Sequence, residues 1–255
     1  MSQVFRPAEV QYQAGSFDGE RIRQFYTMTG VAFRSLFAYS PRENIEQILS
    51  AAWDATDPRT EAQYNDFYRD SMLVTEECVQ WHQEKNGQRL RRVIHAATLA
   101  KELGVNSFCE VGAGIGTDGV ALASLGFECK YLAEINHHSR RMITRMANFA
   151  LHDPVTIVDL SATTKELAHR HFGPVDWLYS SDVFEHIYDL EDWLDPWIKS
   201  FKVVIVYAPF ASNEVQHQHT DYKRSQFNNF MSKRGFTKLT VHGLGIPPMV
   251  YRRHR

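Results

Sequence analysis

The sequence predicts an α/β fold, with a mostly parallel sheet covered by helices on both faces and an N-terminal helical cap. From residue 105 onwards, short β-rich segments alternate with helical stretches, which is typical of right-handed crossovers in a parallel sheet. Before residue 105, apolar residues recur at helical spacing without strand alternation. Glycine is also unevenly placed, since four of the 14 glycines lie between Gly112 and Gly119. The two parts are therefore expected to have different roles.

The first part contains three predicted helices. A capping-box pattern with proline at the first helical position predicts a helix that starts at residues 40–43. Asp57-Pro58 interrupts the chain, and a second helical stretch covers residues 61–70. The third helix covers residues 88–103 and ends at Gly104, a typical C-terminal cap.

The second part contains the predicted sheet. Its β-rich segments are residues 107–111, 128–133, 155–158, 175–179, 203–207 and 237–241. The helical stretches between and after them are residues 119–125, 138–150, 163–171, 193–200 and 221–234. Parallel sheets bind ligands beyond the carboxyl ends of their strands. Functional residues are therefore expected directly after the strands.

Composition narrows the class of protein. The chain has 255 residues, of which 44% are hydrophobic and 23% charged, with a formal net charge of -2. The longest apolar run, residues 203–211, is shorter than the roughly 20 residues of a membrane span, and the charge disfavours nucleic-acid binding. The three cysteines contain no CxxC pair, and the first residues lack the pattern of a signal peptide. We expect a soluble, cytoplasmic protein.

A glycine-rich loop follows the first predicted strand, in the sequence Glu110-Val-Gly112-Ala-Gly114-Ile-Gly116. Alternate glycines let the backbone turn sharply and approach a ligand closely, although a tight turn without a ligand is an alternative. Residues 114–119 also match GxGxxG, and Glu134 lies where a dinucleotide fold places its ribose-binding acid. However, a carboxylate at Glu110 would repel a pyrophosphate, whereas it would favour a nucleoside with a cationic tail such as S-adenosylmethionine.

Four motifs in order give the sequence a resemblance to the class I S-adenosylmethionine-dependent methyltransferase family. They are the glycine loop, Glu134 at the end of the second strand, Asp159-Leu160 at the end of the third, and Asp182-Val-Phe-Glu185-His186 after the fourth. The resemblance covers roughly residues 88–245. It implies a Rossmann-like, seven-stranded sheet and methyl transfer to an oxygen or nitrogen of a small molecule, as in secondary metabolism. Residues 88–255 would form the cofactor-binding core and residues 1–87 a cap on the substrate side.

The resemblance also implies roles for individual residues. The glycine loop with Glu110 would hold the methionine end, directly or through water, and Glu134 would accept hydrogen bonds from the ribose hydroxyls. Asp159 would accept from the adenine amino group, Leu160 would pack on the adenine ring, and Asp182 would lie near the sulfonium. The implied cofactor residues are Glu110, Gly112, Gly114, Gly116, Glu134, Asp159, Leu160, Asp182 and Val183.

Histidines after the fourth and fifth strands are candidate bases, because the imidazole titrates near neutral pH. They are His186, His217 and His219, and each could instead orient the acceptor. Residues 217–221 also resemble part of a zinc motif, but Tyr222 stands where a further histidine is needed. The Asp-x-x-Glu-His segment is similar to the Glu-x-x-Glu-His of ubiquinone-pathway O-methyltransferases, which is linked to magnesium. Its shorter first acid disfavours that ion, and we expect no metal site.

Aromatic residues of the cap are candidates for the acceptor pocket, with core packing as the alternative for each ring. Tyr26 is a candidate catalytic residue, because a buried phenol needs a polar partner. The row comprises Phe17, Phe25, Tyr26, Phe33, Phe37 and Tyr39.

Several functions remain as alternatives. They are an NAD-dependent oxidoreductase, a transferase that moves another group of S-adenosylmethionine, and a protein that binds the cofactor without turnover. We expect a small-molecule substrate, no nucleic-acid or membrane partner, and a monomer or homodimer.

Overall fold

The sheet is the centre of the molecule. The computed structural model describes residues 19–84, 86–151, 153–162, 172–210, 220–241 and 248–254. Within these residues, one sheet has the strand order β3-β2-β1-β4-β5-β7-β6. Neighbouring strands from β1 to β5 are parallel, whereas β7 is antiparallel to both β5 and β6. The strands are β1 (Ser107–Val111), β2 (Glu128–Glu134), β3 (Thr156–Asp159), β4 (Trp177–Ser181), β5 (Val203–Tyr207), β6 (Phe236–Leu239) and β7 (Met249–Arg253).

Helices cover both faces of the sheet, which confirms the predicted fold class. Alternate residues of a strand point to opposite faces, so Phe108 of β1 packs in one apolar cluster and Cys109 in another. The described helices are α1 (Gly19–Phe37), α2 (Ile45–Thr56), α3 (Glu61–Asp70), α4 (Met72–Glu84), α5 (Asn86–Glu102), α6 (Thr117–Ser124), α7 (His137–Ala150), α8 (Leu190–Leu194) and α9 (Arg224–Lys233).

The first helix shares a core with the sheet. Phe25 and Phe33 of α1 are buried in the same apolar cluster as Phe108 of β1 and Trp177 of β4. Helix α1 also packs against α4, α6 and α7. The N-terminal helices therefore form a cap that is built onto the sheet rather than a separate apolar core.

The structure differs from the sequence-based expectation at one helix start and at the last strand. The helix expected from Ser40 begins only at Ile45, because the chain before it is held against α4, where the N–H of Arg42 donates to Glu76 at 2.5 Å and the guanidinium pairs with the same carboxylate at 3.2 Å. The last strand, β7, contains the basic segment Tyr251-Arg-Arg253, which no predicted element covers, and Tyr251 is buried. Its pairing with β5 and β6 accounts for this.

Two other predicted helices are not found as continuous helices in the described residues. Residues 193–200 are divided into the end of α8 and a short 3-10 turn at Ile198–Ser200, because Pro196 cannot continue a helix. The stretch 163–171 lies outside the described residues. Among the residues that are described, no helix combines the length and apolar character that a membrane crossing requires.

Candidate functional site

A cavity of about 370 Å³ lies beyond the carboxyl ends of the parallel strands. The loop after β1, the end of β2 and the segment after β4 form one wall, where Gly112, Glu134 and Asp182 lie. Helices α2, α3 and α4 supply residues of the opposite wall, including Tyr68 and Trp81. The site is therefore at the edge of the sheet where a parallel fold binds its ligands.

The glycine loop lies close against the segment that follows β4. Gly112 has φ +68°, and a Cβ atom there would lie 2.2 Å from Cγ2 of Val183. The N–H groups of Gly112 and Ala113 both donate to the carbonyl of Ala133, at 2.9 and 3.0 Å. Gly114 and Gly116 are also left-handed, and α6 begins directly after Gly116. A side chain at Gly112 would therefore push Val183 away, and both residues line the cavity.

Glu134 is held in place by backbone donors. Its Oε2 accepts from the N–H of Gly114 at 2.7 Å, and its Oε1 accepts from the N–H of Asn136 at 2.8 Å. Burial raises the pKa of this carboxyl to about 7, although the N–H donors oppose that shift. Because Glu134 lines the cavity beside Gly114, the structure brings together the two motifs predicted to bind one ligand.

Of the two residues predicted to contact the adenine, Leu160 lines the cavity and Asp159 does not. Leu160 is buried and lines the cavity. Asp159 is not among the lining residues; it accepts from the N–H and the hydroxyl of Ser161 at 2.9 and 2.6 Å and pairs with Arg140 at 2.8 Å. In this arrangement, the carboxylate of Asp159 is engaged by its own loop.

Glu110 lies behind the glycine loop and does not line the cavity. Its Oε2 has no hydrogen-bond partner among the described residues, and a Cβ atom on Gly119 would lie 2.4 Å from that oxygen. Burial, with Asp118 nearby, raises the pKa of Glu110 well above its usual range. Glu110 therefore lies beside the first turn of α6 rather than in the cavity wall, and its role at the methionine end, directly or through water, stays a prediction.

Two buried arginines, which the sequence analysis did not single out, line the cavity beside Asp182. Asp182 has φ +57° and accepts hydrogen bonds from Arg92, from Arg89 at 3.4 Å and from the hydroxyl of Ser181 at 3.2 Å. Both arginines come from α5, three residues apart. Two arginines three residues apart on the helix before the first strand are the only feature of the sequence that could have marked them as candidates. The cavity therefore has cationic and anionic groups side by side at the end of β4.

Arg89 is anchored by a buried network. Its Nε and Nη2 donate to the two carboxylate oxygens of Asp118 at 3.2 and 2.7 Å. The hydroxyls of Tyr26 and Tyr179 donate to the same carboxylate at 3.1 and 3.0 Å. Tyr26, the predicted catalytic residue of the cap, is buried and does not line the cavity; in this structure its hydroxyl holds Asp118.

Of the candidate bases and the predicted row of aromatic residues, only His186 is found in the lining of the cavity among the described residues. His186 lines it, with Nδ1 3.0 Å from the hydroxyl of Tyr68. His217 and His219 lie outside the described residues, as does Phe17. The other aromatic residues of the predicted row pack in or against the core. The rings that do line the cavity are Tyr68, Trp81, Tyr188 and Trp193.

Within the described part of the chain, no group of three or more histidine, cysteine or acidic side chains is placed to hold a metal ion. The first acid of the Asp-x-x-Glu-His segment, Asp182, is instead paired with two arginines.

The comparisons with known proteins concern the fold. No protein-family model and no curated protein matches the chain. Magnesium protoporphyrin IX methyltransferase from Synechocystis PCC 6803, crystallised with S-adenosylmethionine, is similar in structure at 14% identity and a TM-score of 0.50, with 85% of this chain and 100% of that chain covered. A candidate caffeoyl-CoA O-methyltransferase from Staphylococcus aureus is similar at 15% identity and the same TM-score of 0.50, with 71% and 100% covered.

The methyltransferase domain of a bacterial Hen1 protein is a third similar structure, at 16% identity and a TM-score of 0.50, with 64% of this chain and 97% of that chain covered. At these identities the likeness concerns the fold alone. The chain has the fold of the class I S-adenosylmethionine-dependent methyltransferases.

Proposed function

We propose that the protein is an S-adenosylmethionine-dependent methyltransferase that transfers a methyl group to an oxygen or nitrogen of a small molecule. The observation that carries this proposal is the meeting of two motifs in one cavity, where Glu134 accepts from the N–H of Gly114 at 2.7 Å. A strand-end carboxylate and a glycine loop at the carboxyl edge of the sheet suit a nucleoside ligand in this fold.

The charges in the cavity suit both ends of this cofactor. Glu134 is an acceptor for ribose hydroxyls, and Leu160 is an apolar surface for adenine. The amino-acid end carries an ammonium and a carboxylate. Asp182 would meet the ammonium, while Arg89 and Arg92 would meet the carboxylate, because these three side chains already lie in contact at the cavity wall.

The protein's part in the reaction is mainly to position the acceptor. The bound cofactor supplies an activated methyl group on a positively charged sulfur. Helices α2, α3 and α4 of the cap supply one wall of the cavity, and electrostatic interactions in such a site become stronger as bound ligands displace water from it. His186 is oriented by Tyr68 at 3.0 Å and can hold an acceptor group or accept its proton.

A small acceptor fits the cavity better than a nucleic acid. The chain has a net charge of -2, and three exposed acidic residues, Glu46, Glu61 and Asp189, belong to the cavity lining. Carboxylates in these positions would repel a phosphate backbone. The cytoplasmic location and the monomeric or homodimeric state stay predictions.

The dinucleotide alternative is less compatible with the site. Asp182 lines the cavity in the segment that lies against the glycine loop, where its carboxylate would face the negative charges of a pyrophosphate. Transfer of another group from S-adenosylmethionine would use the same cavity, and the mass of the product would identify it.

Calorimetry with S-adenosylhomocysteine tests the proposal. We expect the wild type to bind it, and Glu134→Gln to bind it about 10- to 100-fold more weakly, because a hydrogen bond to a charged group is lost. Glu128→Gln is a matched control, since Glu128 is an exposed carboxylate at the other end of β2. Absence of binding, equal binding by Glu134→Gln, or thermal stabilisation by NADH alone would refute the proposal.

A further inference from the structure

The half of the cavity that faces the cap is acidic. Seven carboxyl groups line the whole cavity, and five of them lie on α2, α3, α4 and the segment after β4; these are Glu46, Glu61, Glu77, Glu185 and Asp189. Among the described lining residues, the only arginine and lysine side chains are Arg89 and Arg92, both paired with aspartates. Neither arginine forms an ion pair with any of these five carboxyl groups.

Glu77 is an unpartnered carboxyl group of this wall. It lies on α4, is largely buried, and forms no hydrogen bond or ion pair with the described residues. Burial raises the pKa of this carboxyl group, and the nearby carboxylate of Glu46 on α2 adds a smaller rise; together they bring it to about 7. A buried acid without a partner costs free energy in the unliganded protein, so its position at the cavity points to a ligand that pairs with it.

Glu185 has the same property on the opposite wall. Its side chain is 2% exposed and lines the cavity, and neither carboxyl oxygen has a hydrogen-bond partner. Tyr68 lies near both acids, since Glu77 and Glu185 each contribute to its raised pKa. The two unpartnered acids therefore lie near the same aromatic residue.

Aromatic rings complete this half of the cavity. Tyr68 and Trp81 come from the cap, and Trp193 comes from α8. Aromatic faces attract cations through the ring quadrupole, most strongly where water is excluded. Unpaired carboxyl groups with aromatic walls are a combination that favours an organic cation over a neutral or anionic molecule.

We propose that the acceptor is a basic amine, bound as an ammonium ion between Glu77, Glu185 and the aromatic rings, and methylated on that nitrogen. This inference rests on the proposed methyltransferase function and specifies its acceptor class. An anionic acceptor would be repelled by the ionised carboxylates of this group, whereas an ammonium ion would give Glu77 and Glu185 a countercharge that an alcohol cannot supply.

The proton of the ammonium ion must leave before transfer, because a protonated nitrogen has no lone pair. The ammonium gives one proton to the carboxylate of Glu77, and the freed lone pair forms the bond to the methyl carbon. The carbon–sulfur bond breaks, and its electron pair remains on sulfur, which becomes a neutral thioether. The methylated nitrogen carries the positive charge, and the proton leaves through Glu77.

A set of charge-matched probes tests the proposal by ligand-observed NMR, with S-adenosylhomocysteine present. The probes are 2-phenylethylamine, 2-phenylethanol and 3-phenylpropionate. We expect the amine to bind at least tenfold more tightly than the other two. Glu77→Gln and Glu185→Gln should each weaken amine binding at least tenfold, whereas Glu77→Asp, which keeps the charge, should retain most of it. Glu43→Gln, at an exposed cap residue outside the cavity, should have no effect.

The other possible results separate failure of the amine proposal from failure of the methyltransferase proposal. If S-adenosylhomocysteine binds but the amine binds no better than the alcohol, the amine proposal fails and the methyltransferase proposal stands. If S-adenosylhomocysteine does not bind, the proposed function itself fails. Amine binding that Glu77→Gln and Glu185→Gln leave unchanged, or magnesium chloride binding that Glu185→Gln abolishes in place of amine binding, would overturn the assignment. Circular dichroism of each variant verifies folding.

Discussion

Replacing Glu77 with glutamine is expected to stabilise the unliganded protein at alkaline pH. The pKa of this carboxyl rises from 4.5 to about 7 in the folded protein, chiefly because of burial and secondarily because of Glu46. Tyr68 and Cys78 are its neighbours in the cavity lining, and both have pKa values raised by burial, so they stay uncharged. Since one pKa unit corresponds to about 1.4 kcal/mol, the ionised carboxylate costs about 3 kcal/mol of folding free energy.

The sign of the effect follows from proton binding. Between pH 4.5 and 7 the unfolded chain has released the proton of Glu77 while the folded protein still holds it, so this group lowers the free energy of unfolding as pH rises. Below pH 4.5 its contribution disappears, and above pH 7 the full cost is present. Glu77→Gln removes that cost, so its advantage over the wild type should grow from near zero at pH 4.5 to about 3 kcal/mol at pH 8.

Urea unfolding at pH 4.5 and pH 8 measures this difference, with Glu43→Gln as the control for the loss of an exposed carboxylate. The control should change the free energy of unfolding by less than about 0.5 kcal/mol at both values. If Glu77→Gln is no more stable than the wild type at pH 8, or if its advantage is equal at the two pH values, the carboxyl is not an unpaired, buried acid. The acceptor assignment would then lose its main support.

Three further substitutions test the rest of the site. Gly112→Ala should weaken S-adenosylhomocysteine binding at least tenfold by calorimetry, since the new Cβ atom would lie 2.2 Å from Val183. Adding Val183→Ala should restore part of the affinity. If the double variant shows no recovery, the steric explanation is refuted. Tyr26→Phe should cost about 1 kcal/mol of stability in urea and leave kcat unchanged, so a large loss of kcat would restore its catalytic role. Asp118→Asn should cost about 3–5 kcal/mol because Arg89 stays buried without its anion, and a loss below about 1 kcal/mol in the same assay would contradict the network.

The parts of the fold that sequence alone could predict are those with local causes. The central strands β1 and β5 begin and end at the predicted residues, because each is an uninterrupted buried segment. Gly112 and Glu134 could be placed at the cavity because a strand end fixes the position of the residue that follows it. These predictions needed no knowledge of contacts between distant segments.

The parts that could not be predicted depend on partners far along the chain. Arg89 and Arg92 have the spacing of an exposed helix face, yet they are buried because Asp118 and Asp182 neutralise them. Tyr26 lies 92 residues from the aspartate that accepts its hydrogen bond. The pairing of β7 between β5 and β6 is likewise long-range, and its polar Arg-Arg sequence gave no local signal of a strand.

The two unpartnered acids have different protonation behaviour, and this assigns them different tasks in the proposed reaction. Burial and Asp182 raise the pKa of Glu185 well above its usual range, so this group stays protonated unless a cation lies beside it. Glu77 has a pKa of about 7, which lets it hold or release a proton near neutral pH. A general base is most effective when its pKa lies near the working pH. Glu77 is therefore the better proton acceptor, and Glu185 is better suited to fix the ammonium by charge.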